Sequence, residues 1–129
     1  MRNESKNLDK PRLSELGASV WQTSSVYQTP VIGLMNWVVW ELPGGDRHFN
    51  GYNITEYEGR VSSKIVEFDE ETGTGTTRSG RKYKLLGISQ QGHDGDYVWS
   101  RWCRINTVDA ETVKDVSNEY ESKEETIGE

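Results

Sequence analysis

Residues 61–86 read VSSKIVEFDEETGTGTTRSGRKYKLL, and this stretch decides the fold class. Two short polar segments interrupt three runs that are rich in β-branched and aromatic side chains. Strand-forming runs that are separated by brief glycine-containing turns are typical of β-hairpins. The stretch therefore predicts an antiparallel meander of three strands, at residues 61–69, 74–78 and 81–86.

Residues 31–42 form a nearly continuous apolar run that ends at the turn sequence Pro-Gly-Gly of residues 43–45. Hydrophobic periodicity does not distinguish a strand buried on both faces from a buried helix in such a run. Trp37 and Trp40 would share one face only in a helix. The β-branched residues Val38 and Val39, together with the Pro-Gly-Gly stop, favour a central strand.

Shorter segments lie on either side of this run. Residues 19–28 are β-branched and aromatic and end before Pro30, which favours another strand. After the Pro-Gly-Gly turn, residues 46–51 predict a loop and residues 52–57 predict a short alternating strand.

The C-terminal part of the chain carries helical signals. In residues 97–105, Val98, Trp102 and Ile105 recur at helical spacing, and Asp96 is placed to cap the N-terminus of that helix. Asp109 is placed to cap a second helix. On this second helix an apolar stripe is expected for partner binding, formed by Val113, Val116 and Tyr120.

These elements predict a β-rich protein of all-β to α+β class. We expect an antiparallel meander sheet or a small open barrel of about five or six strands, with one or two short C-terminal helices. The length of 129 residues suits one domain. The predicted organisation is a flexible N-terminal segment at residues 1–17, a single β-rich domain at residues 18–106 and an acidic, partly helical tail at residues 107–129.

The net charge of −6 resides in that tail. Residues 107–129 contain eight acidic and two basic residues, whereas residues 18–106 contain ten acidic and nine basic residues. The body is therefore nearly neutral, and an overall acidic composition gives no evidence against a basic site on it.

Several function classes receive no support from the sequence. Residues 1–10 lack an apolar region and no apolar run approaches the roughly 20 residues of a membrane span, so we expect a cytoplasmic protein. The single Cys103 cannot form an internal disulfide. The loop that contains His93, Asp94 and Asp96 is expected to be a polar turn, and we predict no metal site, no cofactor and no catalytic residue. Whether the protein is an enzyme stays open, with a non-enzymatic role favoured.

The residues that most resemble a ligand site lie at the tip of the predicted 74–86 hairpin. If residues 79–80 form a two-residue turn, Arg78 and Arg81 are directly opposed, on the same face as Tyr83, while Lys82 points to the other face. Opposed like charges are unfavourable unless a carboxylate or an external anion offsets them. Ligand binding is therefore assigned to Arg78, Arg81, Lys82 and Tyr83.

The leading functional hypothesis is a small cytoplasmic binding or regulatory protein that acts by contact with a macromolecular partner. A protein partner is expected at the acidic tail, which would imitate the charge of a nucleic acid, as an inhibitor carried by a mobile element would do. One alternative is a small-anion or nucleotide module at the Arg78 and Arg81 hairpin tip. Another is a single-stranded nucleic-acid-binding β module, which the charge disfavours. A homo-oligomer is also considered, because five Trp residues are many for one small core.

Overall fold

A computed structural model describes residues 31–122, and all structural statements below concern this part of the chain. The predicted flexible segment 1–17 and the predicted strand 19–28 lie outside the described residues. Among the described residues, the ordered elements are β1 (Val31–Glu41), β2 (Arg47–Asn53), β3 (Glu58–Val61), β4 (Ile65–Asp69), β5 (Thr74–Thr77), β6 (Lys82–Leu85), α1 (His93–Ile105), a 3-10 turn at Ala110–Thr112, β7 (Lys114–Asp115) and a 3-10 turn at Ser117–Glu119.

The seven strands form one mixed sheet that is not closed into a barrel. The strand order is β3-β2-β1-β6-β5-β4, and β7 pairs with the C-terminal end of β1. All pairings are antiparallel except that of β1 with β6, in which Val31 lies beside Lys82 and Leu34 beside Leu85. The predicted β-rich class, the β4-β5-β6 meander and the C-terminal helix are confirmed, and the sheet takes the open form.

The predicted central strand at residues 31–42 is confirmed, but the predicted loop at residues 46–51 is wrong. Residues 47–53 are β2, and the chain turns after it. The Asn53 carboxamide oxygen accepts hydrogen bonds from the backbone N–H groups of Thr55 (2.8 Å) and Glu56 (3.0 Å). This side-chain turn reverses the chain within a segment whose residue types alone favour a strand.

One face of the sheet is concave and holds the main apolar core. Phe49 is fully buried at its centre, with ring centroids of Phe68, Tyr83 and Tyr120 at 6.4, 5.7 and 6.1 Å. The contact between Phe49 on β2 and Phe68 on β4 spans strands that are not neighbours in the sheet, so the sheet must curl around these rings. The other buried members of this core are Ile32, Leu34, Trp37, Val39 and Val116.

The opposite face is covered in part by α1. Trp40 on β1 stacks on Trp99 of the helix at 5.3 Å, and Trp99 stacks on Trp102 at 5.2 Å. The helix predicted for residues 97–105 is confirmed, but the assignment of Asp96 as its N-cap is wrong. The helix begins at His93 after an extended Gly92, and the N–H of Asp96 donates to the Gly92 carbonyl within the first turn (2.9 Å).

The segment after α1 packs along β1. The Asp109 carboxylate accepts a hydrogen bond from the N–H of Glu111 (3.0 Å) and so caps a 3-10 turn, which takes the place of the predicted second helix because the backbone at Val113 is extended. Val116 then donates its N–H to the Val39 carbonyl (2.9 Å). Residues 123–129 of the predicted tail lie outside the described residues. None of the helices within residues 31–122 is long and apolar enough to cross a membrane.

Candidate functional site

A cleft of about 290 Å³ opens where β1, β2 and the beginning of α1 meet. It lies on the sheet face that α1 covers only in part. The lining residues are Asn36, Tyr52, Gly92, His93, Asp94 and Gly95. The cleft thus combines an aromatic ring, a carboxamide, an imidazole and a carboxylate, groups that can bind a partner through hydrogen bonds and ring contacts.

A β-bulge between Met35 and Val38 forms one wall of this cleft. Asn36 in the bulge has a φ of +49°, a conformation that asparagine tolerates better than most side chains. Gln90 holds the bulge, since its N–H donates to the Trp37 carbonyl (3.1 Å) and its side-chain amide donates to the Asn36 carboxamide oxygen (2.9 Å). A bulge held in this way turns side chains away from their regular alternation and makes room for the cleft.

The N-terminal turn of α1 forms the other wall. Gly92, the N-cap residue, supplies no side-chain hydrogen bond to the helix. Asp94 and Asp96 in the first turn place negative charge at the positive end of the helix dipole. Among residues 31–122, no group of three or more side chains is arranged to hold a metal ion, this turn included.

Next to the cleft lies an apolar surface that no element within residues 31–122 fully covers, and we call it the open face. The side chains of Ile54 and Leu86 both approach Gly33 of β1, each within 3.1 Å of where a Cβ would lie. Val31 and Met35, two residues to either side of Gly33, point to the same face and are 48% and 43% exposed. These four side chains therefore form one contiguous apolar surface that α1 does not cover.

Two lysines border the open face on the side of β6. On β6, Lys82 pairs with Val31 and Lys84 pairs with Gly33, so both lysine side chains lie on the same face as the apolar surface. On the other side of the strip lies the cleft, which Asp94 of α1 lines. The open face is thus an apolar strip with a basic border on the side of β6.

The predicted two-residue turn at the hairpin tip is wrong. Thr77 is bonded to Arg81 across the hairpin (N–H to carbonyl, 3.0 Å), and Gly80 has a φ of +94° as the third residue of a three-residue loop. Arg78 lies in that loop and is not opposed to Arg81. Three-residue loops that end with glycine in the left-handed conformation are common in β-hairpins. The Ser-Gly pair alone does not distinguish such a loop from a two-residue turn.

The four residues assigned to ligand binding do not share one surface. Arg81 and Tyr83 are buried, at 6% and 3% exposure, on the concave face, and the Tyr83 hydroxyl accepts a hydrogen bond from Arg60 (3.4 Å). Arg78 is exposed in the loop, and Lys82 points to the open face, as predicted. An anion site centred on all four residues stays a prediction, with only Arg81 and Tyr83 brought together.

The residues assigned to partner binding lie in the segment after α1. Val116 is buried in the core, and Tyr120 is half-buried with its ring against Phe68 at 4.8 Å. Val113 is half-buried. Two of the three side chains thus contact the concave face of their own chain.

His48 lies beneath α1 and is 7% exposed. Its Nδ1 donates to the Ser62 carbonyl (2.8 Å), and its ring contacts Trp102 at 4.8 Å. Burial lowers the pKa of His48 below the usual 6.5, while the hydrogen bond to Ser62 partly opposes this change. Because the folded protein resists protonation of His48 and the unfolded chain does not, acid favours unfolding.

Replacing His48 by asparagine is expected to remove this pH dependence. The wild-type free energy of unfolding should fall as the pH decreases below about 6.5, where the unfolded chain takes up the proton first. The asparagine amide can still donate to Ser62. Urea unfolding between about pH 8 and pH 5 measures the free energy of unfolding of both proteins. The difference between the wild-type and variant values should shrink as the pH falls. If the free energies of unfolding of the two proteins change in parallel with pH, His48 is not the source of the pH dependence.

Comparison with protein-family models, with curated proteins and with solved structures finds no match for this chain. Its function is therefore argued from its own residues.

Neither the cleft nor the open face was among the sites predicted from the sequence. A usable signal was present: Val31, Gly33 and Met35 alternate with Ile32 and Leu34 as expected for a strand with two different faces. The bulge and the approach of Ile54 and Leu86 depend on the tertiary structure and leave no local pattern.

Proposed function

We propose that the protein is a small cytoplasmic, non-enzymatic binding protein that regulates a protein partner by contact through the open face and the adjoining cleft. The observation that carries the proposal is the apolar surface around Gly33, in which Val31, Met35 and Ile54 are exposed and Leu86 is half-buried. Contiguous exposed apolar patches with polar rims mark interaction sites, whereas single exposed apolar residues need no explanation.

The neighbours of this surface support a protein partner. Ile88, two residues beyond Leu86, is 58% exposed in the loop that leads to the cleft. Tyr52 in the cleft pairs with Met35, so an aromatic ring adjoins the apolar strip. Tyr and Met are enriched in protein interfaces, and the rim of an interface is polar and accessible to solvent.

The remaining reactive group of the chain supports a binding role over a nucleophilic one. Cys103 lies on the buried side of α1, and burial raises the pKa of its thiol to about 11. A thiol with a raised pKa is mostly protonated at neutral pH and is a poor nucleophile.

Replacing Met35 by aspartate is expected to weaken partner binding, and Val66→Asp is the matched control. Val66 is also an exposed strand residue, at 56%, but lies on β4, far across the sheet order from the open face. Tagged wild-type and variant proteins would capture partners from the source cells, and the captured protein would then be purified and titrated by calorimetry. A charge placed in an interface centre should weaken binding at least about tenfold.

The folding of each variant is checked by circular dichroism before binding is measured. Equal affinity of the wild type and Met35→Asp for the purified partner would refute the proposal. Equal loss in Met35→Asp and Val66→Asp would also refute it, because the effect would then not be specific to the open face.

A further inference from the structure

We infer that Tyr57 anchors the protein partner, by inserting its ring into an apolar recess on the surface of that partner. This inference rests on the proposed function, since it names a binding residue for the same partner and the shape that the residue fits. Tyr57 lies in the turn between β2 and β3, and its side chain is 78% exposed. Ile54 of the open face lies in the same turn and donates its backbone N–H to the Gly33 carbonyl (3.0 Å). The turn that carries Tyr57 is therefore continuous with the open face.

The backbone of Tyr57 is strained, with a φ of +61°. Glycine or asparagine takes this left-handed conformation at a lower cost than a bulky side chain does. Within residues 31–122, no hydrogen bond or ring contact of the Tyr57 side chain offsets the strain. Folding alone therefore does not explain why this position holds a tyrosine. Strained residues of this kind cluster at functional sites, where the exposed group serves another purpose.

The turn holds the Tyr57 ring in a fixed place. The Tyr57 N–H donates to the carbonyl of the buried Asn53 (2.7 Å). On either side of Tyr57, the carboxylates of Glu56 and Glu58 accept hydrogen bonds from Nη2 of the buried Arg60 (3.0 and 2.9 Å). Because the turn is already ordered, little conformational entropy is lost when the ring binds. Tyrosine is also among the residues that contribute most of the binding energy in interfaces.

A protein with an apolar recess fits this turn better than a single-stranded nucleic acid does. A nucleic acid that stacked a base on the ring would bring its phosphates close, and phosphates are bound by cations. The one basic residue in the sequence 53–60 is Arg60, whose guanidinium is buried and already bonded to Glu56 and Glu58. A protruding ring with polar neighbours instead matches a recess with a polar rim, because interface centres pack as closely as protein interiors.

The inference is tested by a substitution that removes the ring and the strain together. Tyr57→Asn should raise the melting temperature by about 3 °C, because asparagine adopts a positive φ more readily. The same variant should bind the captured and purified partner at least about tenfold more weakly in calorimetry. Tyr57→Phe keeps the ring and should bind within about threefold of the wild type.

Thr107→Asn is the matched control. Thr107 is exposed, has a φ of +56° and lies just beyond the C-terminal end of α1, whereas the cleft lies at the N-terminal end. This variant should also raise the melting temperature, but it should leave the affinity for the partner unchanged. Equal loss of affinity in Thr107→Asn and Tyr57→Asn would overturn the inference, because the effect would then not belong to the ring.

Other results would also overturn the inference. One is an unchanged affinity of Tyr57→Asn, and another is a melting temperature at or below that of the wild type, because the fold would then explain the tyrosine. A third is salt-dependent binding of a single-stranded oligonucleotide, measured by fluorescence anisotropy, that Tyr57→Asn abolishes. The proposed function fails if Met35→Asp binds the purified partner as the wild type does. If Met35→Asp loses affinity and Tyr57→Asn does not, only the present inference fails.

Discussion

Replacing Gly59 by alanine is expected to lower the free energy of unfolding by about 3 kcal/mol, a large effect for one methyl group. A Cβ at Gly59 of β3 would lie 2.3 Å from the carbonyl oxygen and 2.8 Å from the carbonyl carbon of Asp94. It would also lie 2.7 Å from a methyl group of Val98. Because the Asp94 atoms belong to the backbone of α1, no rotation of a side chain relieves the overlap.

The matched control for this substitution is Gly44→Ala in the turn after β1. No atom lies within 4 Å of a Cβ at Gly44, so its replacement is expected to change stability little. Urea unfolding monitored by tryptophan fluorescence suits both variants, because Trp40, Trp99 and Trp102 stack where α1 meets the sheet. A stability loss at Gly59 no larger than at Gly44 would show that α1 does not sit as close to β3 as described.

The same contact also positions the candidate site. Gly59 pairs with Tyr52, and Tyr52 and Asp94 line the cleft from opposite sides. The width of the cleft is thus set by how closely α1 approaches the sheet. A variant that moves the helix outward should weaken partner binding even if the domain still folds.

The elements that were predicted correctly are those whose signals are local. The turn at residues 70–73 and the hairpin loop before β6 contain Gly73 and Gly80, both at positive φ, and they separate strands that pair with their nearest neighbours in sequence. The helical spacing of Val98, Trp102 and Ile105 likewise arises within a few turns of one segment. Each of these patterns lies within one short stretch of sequence and needs no information from distant residues.

The features that were missed depend on residues that are distant in sequence. The parallel pairing of β1 with β6 joins segments about 50 residues apart, and no local pattern indicates which strands become neighbours. β2 was predicted as a loop because its buried polar residues, His48 and Asn50, resemble loop residues. Their polar atoms are satisfied by partners from other elements, such as the carbonyl of Gly95, which accepts from Asn50 (2.9 Å).

The candidate site was missed for the same physical reason. The arginine charges predict a ligand site at the hairpin tip, but Arg81 is buried on the concave face. The open face consists of ordinary apolar residues, and it is a candidate site only because α1 does not cover them. The sequence also predicts that the acidic segment binds a partner, yet Glu119 of this segment forms an ion pair with Arg47 (2.8 Å) within the chain.

Replacing Val116 by aspartate is expected to destabilise the protein by about 4 kcal/mol, enough to unfold a marginally stable domain. Val116 is 8% exposed and belongs to the same core cluster as Val39 and Phe49. An ionised carboxylate at this position would be buried among apolar side chains. The substitution should also break the neighbouring hydrogen bond that the Ser117 hydroxyl accepts from the Val39 N–H (2.9 Å).

Val113→Asp is the matched control, because both valines belong to the stripe that the sequence assigns to partner binding. Val113 is only half-buried, outside the core cluster, so its charge can remain in contact with water and the expected loss is below about 1 kcal/mol. Thermal and urea unfolding of the two variants would show whether the side chains of this stripe pack in the core or are available to bind a partner. If both substitutions leave stability unchanged, the segment after α1 is not part of the core. If Val116→Asp alone unfolds the protein, any partner of this chain must bind elsewhere than on Val116, and the open face becomes the surface to test first.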